Sequence, residues 1–182
     1  MQYKKEAEEI LAGLEERLNK LGLDLSKGKT RLIEFGRYAR INVEKKDKKL
    51  DTFDFLGFTH FCDRTRKGKF KVGRKTKRKK LNTSLKGMKG WLKSVRNAIK
   101  IKELWKVLAA KLRGHCEYYG ISGNHSSIRA FYRQTCKLVF KWINRRSQKK
   151  SMNWNQFTEY LKRFPLPLPE IKLNIYIFGS SV

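Results

Sequence analysis

The stretch FDFLGFTHFCDRTRKGKFKVGRKTKRKK, residues 53–80, opens apolar and closes as a run of cations. Its front half alternates. TFDFLGFTHF (52–61) reads as a strand, RTRKGK as a turn around Gly68, and KFKVG as a short returning strand. After Gly73 the apolar period changes from two to about 3.6. Leu81, Leu85, Met88, Leu92 and Val95 then mark one face of a helix near 77–97. A period change inside one stretch predicts a small sheet feeding straight into a helical region, an α+β chain. On this reading FDFLGF needs a packed face, with Phe55 in the core.

Toward the N-terminus, Ala7, Ile10, Leu11, Leu14, Leu18 and Leu21 recur at three- and four-residue steps. They predict a helix over 3–21, ended by Gly22. LDLSKGKT reads as a turn, RLIEFGRYA (31–39) as a strand, and RINVEKKDKKLD (40–51) as a charged loop. Toward the C-terminus, Leu104, Val107, Leu108, Lys111, Leu112 and Cys116 mark a second helix near 102–118. YYGISGNHSS reads as a loop, with Ser126 or Ser127 as N-cap of a third helix near 126–146. That helix carries Ile128, Phe131, Tyr132, Thr135, Leu138, Val139, Trp142 and Ile143 on one face. A shorter helix over 153–163, capped by Asn153, stops at FPLPLP, where Pro165, Pro167 and Pro169 hold the chain extended. Three amphipathic helices with short connections predict a bundle.

The charge is uneven. Of a formal +28 over 182 residues, residues 1–60 contribute +2 and residues 61–182 contribute +26. Between Arg64 and Lys80 there are 11 cations in 17 residues. Such a field opposes compaction and favours a polyanion. Phosphate backbones answer it through counterion release, so nucleic acid is the expected partner. An anionic membrane fits less well, because the basic segments are interleaved with core-type aromatics. No stretch approaches the ~20 apolar residues of a membrane span, and MQYKKEAEEI lacks a signal-peptide core. Cys62, Cys116 and Cys136 are an odd, widely spaced set and read as reduced thiols. The expected location is the cytoplasm.

Catalytic signals are weak. His60, His115 and His125 lack the paired spacing of a zinc site. Asp54 and Asp63 read as structural carboxylates, and there is no Gly-rich phosphate loop. Binding signals are stronger. Lysine and arginine meet a phosphate backbone, while aromatics and guanidinium planes stack on unpaired bases. Trp91, Trp105, Tyr132 and Trp142 sit at helical spacing, which suits a core equally well. The expected nucleic-acid contacts begin with Arg64, Arg66, Lys67 and Lys69 at the turn, and with Arg74, Lys75, Lys77, Arg78, Lys79 and Lys80 beyond it. GHCEYYGISGNHSS and its approach add Arg113, His115, Tyr118, Tyr119 and Asn124; the cluster closing the third helix adds Arg145, Arg146, Lys149 and Lys150.

Five blocks carry a resemblance: LGLDLSKGKTRLIEFGRYA (21–39), TFDFLGFTHFCDRTRKGKFKV (52–72), LRGHCEYYGISGN (112–124), FKWINRRSQKK (140–150) and RFPLPLP (163–169). In this order they resemble the C-terminal part of bacterial group II intron-encoded reverse transcriptases, also called maturases. The resemblance implies that 1–75 is the end of a polymerase palm, 76–164 a helical thumb or maturase (X) domain, and 165–182 an extended tail. It implies binding of intron RNA in support of folding and splicing, and, for the whole family enzyme, RNA-directed DNA synthesis on a primer-template.

That synthesis needs Mg²⁺ held by aspartates of a Tyr-Ala-Asp-Asp stretch upstream of the matched region, and this sequence contains no such stretch. The chain alone is therefore expected to need no cofactor and not to polymerise, with Mg²⁺ required only if a separate fingers-palm protein joins it. Lys29 matches a lysine near the incoming nucleotide, although Gly28 stands where the family usually has Glu. Phe55, Leu56 and Gly57 match the segment that supports the primer end. Nothing resembles the family's zinc-bearing endonuclease module, and little chain follows the proline run for a DNA-binding extension. Three alternatives stay open: the thumb half of a split reverse transcriptase, a translated remnant of a decayed intron frame, and an unrelated basic binding module.

Overall fold

The computed structural model describes residues 4–44, 50–147 and 152–175. In chain order these form α1 (Lys4–Lys20), α2 (Ala39–Glu44), β1 (Thr52–Phe55), β2 (Phe58–Arg64), β3 (Phe70–Thr76), α3 (Arg78–Val95), α4 (Ile101–Tyr119), α5 (His125–Ile143) and α6 (Trp154–Arg163). The strands make one sheet in the order β1-β2-β3. The fold is α+β. It divides into two compact units: Met1–Thr52 with Cys62–Lys71, and Phe53–Phe61 with Val72–Val182.

In the first unit α1 forms as its spacing predicts. It is braced by Lys4–Glu8 and Glu16–Lys20 pairs one turn apart, at 3.1 and 2.7 Å. None of its residues is buried; Ile10 and Leu21 are 54% and 74% exposed. The strand expected at 31–39 does not form. Residues 31–35 belong to no strand, and side chains serve the backbone of this segment and its neighbour instead. Asp51 Oδ2 accepts from the Glu34 N–H and Cys62 Sγ from the Gly36 N–H, while Arg31 Nη2 donates to the Thr52 carbonyl. The loop expected at 40–51 begins as α2, and residues 45–49 of it lie outside the described residues.

In the second unit the single strand expected at 52–61 is a tight hairpin. Leu56 and Gly57 both have positive φ, 47° and 81°, as a two-residue type I′ turn requires. The turn lifts Phe55 and Leu56 into solvent, 59% and 67% exposed. Phe55 is therefore not a core residue, and the large truncation cost of a buried phenylalanine does not apply to it.

The three helices of the bundle form with their predicted faces inward, except that Val107 and Lys111 of the second are exposed. Met88 and Leu92 of α3, Leu104, Leu108 and Leu112 of α4, and Phe131, Val139 and Trp142 of α5 are buried together, with Phe157 of α6 and Leu166 of the tail. Burying each large apolar side chain contributes about 1.5–3 kcal/mol. The Asn153 cap of α6 is a full capping box with Gln156. Two details differ from expectation. The N-cap of α5 is Asn124, not Ser126 or Ser127, and Tyr118 and Tyr119 of the predicted loop close α4. Only residues 120–124 connect α4 to α5. Gly120 permits this: a Cβ there would strike the Cys116 and Glu170 carbonyls, where the tail crosses and donates from the Lys172 and Leu173 N–H groups to Gly120 O.

Candidate nucleic-acid interface

In the first unit, Arg64, Arg66, Lys67 and Lys69 are all exposed around the β2–β3 turn. The turn is held by the Thr65 N–H on the Lys69 carbonyl at 2.8 Å and by Gly68 at φ 78°. Lys71 pairs with Asp63 at 3.0 Å, so the turn's neutralising carboxylate is spent on the neighbouring strand. Lys29 is exposed in the turn after α1, its backbone N–H on the Ser26 carbonyl.

In the second unit three elements meet at one end of the bundle. The Lys77 N–H donates to the Gly57 carbonyl at 2.9 Å, and Tyr118 Oη donates to the Leu56 carbonyl at 3.0 Å. These bonds place the Phe55–Leu56–Gly57 turn between the start of α3 and the end of α4. A Cβ on Gly57 would sit 3.4 Å from Tyr119 Oη, so close approach and positive φ both select glycine. Phe58 lies beneath, stacked on Tyr118 at 6.2 Å and edge-on to Tyr119 at 5.4 Å. Tyr118 is 55% exposed, so one face of this aromatic group remains open to solvent.

The cations beside it are set against the helix's own field. α3 begins with Arg78, Lys79 and Lys80, has no acidic residue in its first turn, and receives no side-chain cap from Lys77. A helix N-terminus carries partial positive charge and favours anions, so cations there add to an unfavourable field. Lys77 is offset by Asp54 at 2.9 Å, and Lys75 lies 5.4 Å over the Phe61 ring. Arg74, upstream, helps hold His60 below its ordinary pKa, second to burial. Arg113 is exposed on α4.

Two expected contacts are corrected. Asn124 has no exposed surface; its amide joins Thr76 to Tyr119, so it positions the site and cannot touch a ligand. His115 is stacked on Phe131 with ring centroids 3.6 Å apart, and burial lowers its pKa to about 4. It is neutral at physiological pH and adds no charge to the interface. Its depressed pKa also makes a pH signature. The unfolded chain binds a proton at this histidine below about 6.5, and the folded chain does so only near 4. Wild type should lose stability relative to His115→Phe as pH falls through that window. A melting-temperature difference that stays constant from pH 7 to pH 4 would contradict this.

Arg145 is exposed and Arg146 half-buried at the opposite end of the bundle, while Lys149 and Lys150 lie outside the described residues. α3 has 18 residues, so the two ends are roughly 27 Å apart. Arg96, which the sequence reading passed over, sits with Arg145. Its signal was its position at the end of a helical face, where a cation suits the helix dipole and attracts no notice.

Among the described residues no group of three or more His, Cys, Asp or Glu side chains comes together. Burial pushes the thiols of Cys116 and Cys136 up, away from the reactive thiolate. Among the described residues, no helix is long and apolar enough to cross a membrane. Comparison with protein-family models, with curated proteins and with solved structures finds no match.

Proposed function

We propose that this chain is an RNA-binding, maturase-like module whose partner is structured intron-type RNA. One observation carries the reading: the start of α3 gathers Arg78, Lys79 and Lys80 on an uncapped helix N-terminus, beside the exposed Tyr118 and the Phe55–Leu56 turn. A phosphate there meets side-chain cations and helix N–H groups together, which relieves the clash between cations and dipole. The neighbouring aromatics suit unpaired bases, which double-stranded segments do not offer. On this reading the chain supports RNA folding and splicing in the cytoplasm, requires no cofactor alone, and leaves DNA synthesis to other protein. The test is competition. A folded intron-type RNA should displace bound RNA better than random duplex of equal length, and equal displacement would instead favour an unrelated basic binding module.

The unburied stripe of α1 favours a second reading, in which the chain is the thumb half of a split RNA-directed DNA polymerase. Lys29 and the Phe55–Gly57 turn would then serve a primer-template only once a fingers-palm protein supplied the aspartates and Mg²⁺. Primer extension on mixing the two proteins, and with neither alone, would decide for it.

A further inference from the structure

The far end of the bundle carries cations of a different design. Arg96, the C-cap of α3, lies over the Trp142 ring with its guanidinium carbon 5.2 Å from the centroid. Arg145, just beyond α5, lies 5.4 Å from the same centroid. Arg146 Nη2 donates to the Ile99 carbonyl at 2.9 Å. Trp142 is itself only 5% exposed, so the ring that holds both guanidiniums is fixed in the core. Among the described residues no carboxylate pairs with any of these three arginines. Among the described residues, Trp142 Nε1 and Arg146 Nη1 are also buried donors with no acceptor.

This end of the molecule therefore holds a surplus of donors and of positive charge. Carbonyls at the ends of α3 and α5 offset part of it. A cation–π contact opposes the repulsion between two guanidiniums without removing it. A guanidinium lying over an aromatic face keeps its donors at its in-plane edges. Arg96 and Arg145 thus have fixed positions and unused hydrogen-bonding forks. What the arrangement lacks is an anion with two oxygens to accept from them, and a phosphodiester is such a group. Resting on the RNA-binding reading, we infer that Arg96 and Arg145, mounted on Trp142, clamp one backbone phosphodiester of the bound RNA. The clamp requires guanidinium, whereas the lysines at the start of α3 act as interchangeable charges.

The experiment compares charge-conserving variants of the full chain on one folded, intron-type RNA. Arg96→Lys with Arg145→Lys should weaken binding by roughly tenfold, the loss expected for charge-assisted hydrogen bonds. The salt slope should stay the same, because the number of cations is unchanged. Lys4→Arg with Lys20→Arg, exposed lysines of α1 paired with glutamates, should bind as wild type does. Arg145→Lys alone, a change at an exposed position, should show a smaller loss and guards against misfolding of the double variant. Equal binding by folded Lys variants, with wild type still salt-sensitive, would overturn the clamp and leave the RNA reading standing. Absence of RNA binding by wild type would overturn both. Inorganic phosphate raising the melting temperature of wild type but not of the Lys variants, with RNA affinity equal in all, would assign the site to free phosphate and overturn the RNA clamp.

Discussion

Asn124→Ala is expected to lower the stability of the helical unit by roughly 2–6 kcal/mol, with two buried groups each losing a partner at about 1–3 kcal/mol. Asn124 Oδ1 accepts from the Thr76 N–H at 2.7 Å, and Nδ2 donates to Thr76 Oγ1 and to the Tyr119 carbonyl, both at 2.8 Å. Asn124 is completely buried and Thr76 is 5% exposed, so water does not replace what alanine removes. One amide thus ties the last residue of β3 to the end of α4 and the start of α5. Aspartate is not a rescue. It keeps Oδ1 but turns its second oxygen toward the Tyr119 carbonyl and buries a charge without a cation partner. Chemical unfolding of the two variants checks this. An Asn124→Ala protein with the wild-type midpoint would mean that these bonds do not fasten sheet to bundle.

The bundle was legible because its signal is periodic and local. Leu92, Leu104, Leu108, Leu112 and Val139 recur at helical spacing, and all are buried. The sheet was less legible because turn geometry decides it. TFDFLGFTHF contains the glycine that an I′ turn wants, but Leu56 precedes it at positive φ, a conformation that leucine seldom takes. Reading through that turn put Phe55 inside when it is outside. RLIEFGRYA has strand composition, yet a strand needs an edge to pair with, and side chains from distant positions meet the segment instead. No local pattern records that.

The candidate site was legible as charge and not as geometry. The cations of 64–80 were evident, but their division between the two units was not. Asn124 looked like a loop residue free to meet RNA, because the strand residue that occupies its amide lies 48 positions away. His115 read as a nucleic-acid contact, but Phe131, from the next helix, stacks on it. Arg96 and Arg145 are 49 positions apart in the chain and share one ring only through the packing of α3 on α5.

Phosphate charge, met by many separate cations, is expected to drive association. The exposed set is broad: the turn at Arg64–Lys69, the start of α3, Arg113 and Arg145. If about six to ten phosphates are neutralised, each releases its condensed counterions, and affinity should fall roughly 10³–10⁵-fold between about 50 and 200 mM salt. A chain that held RNA through one aromatic pocket would show almost none of this. The measurement is the dissociation constant for one structured RNA across that salt range, plotted on logarithmic axes. A steep straight line with a slope of roughly −5 to −9 is the predicted result. A flat line at measurable affinity would contradict the account, because the +26 carried by residues 61–182 would then have no part in binding.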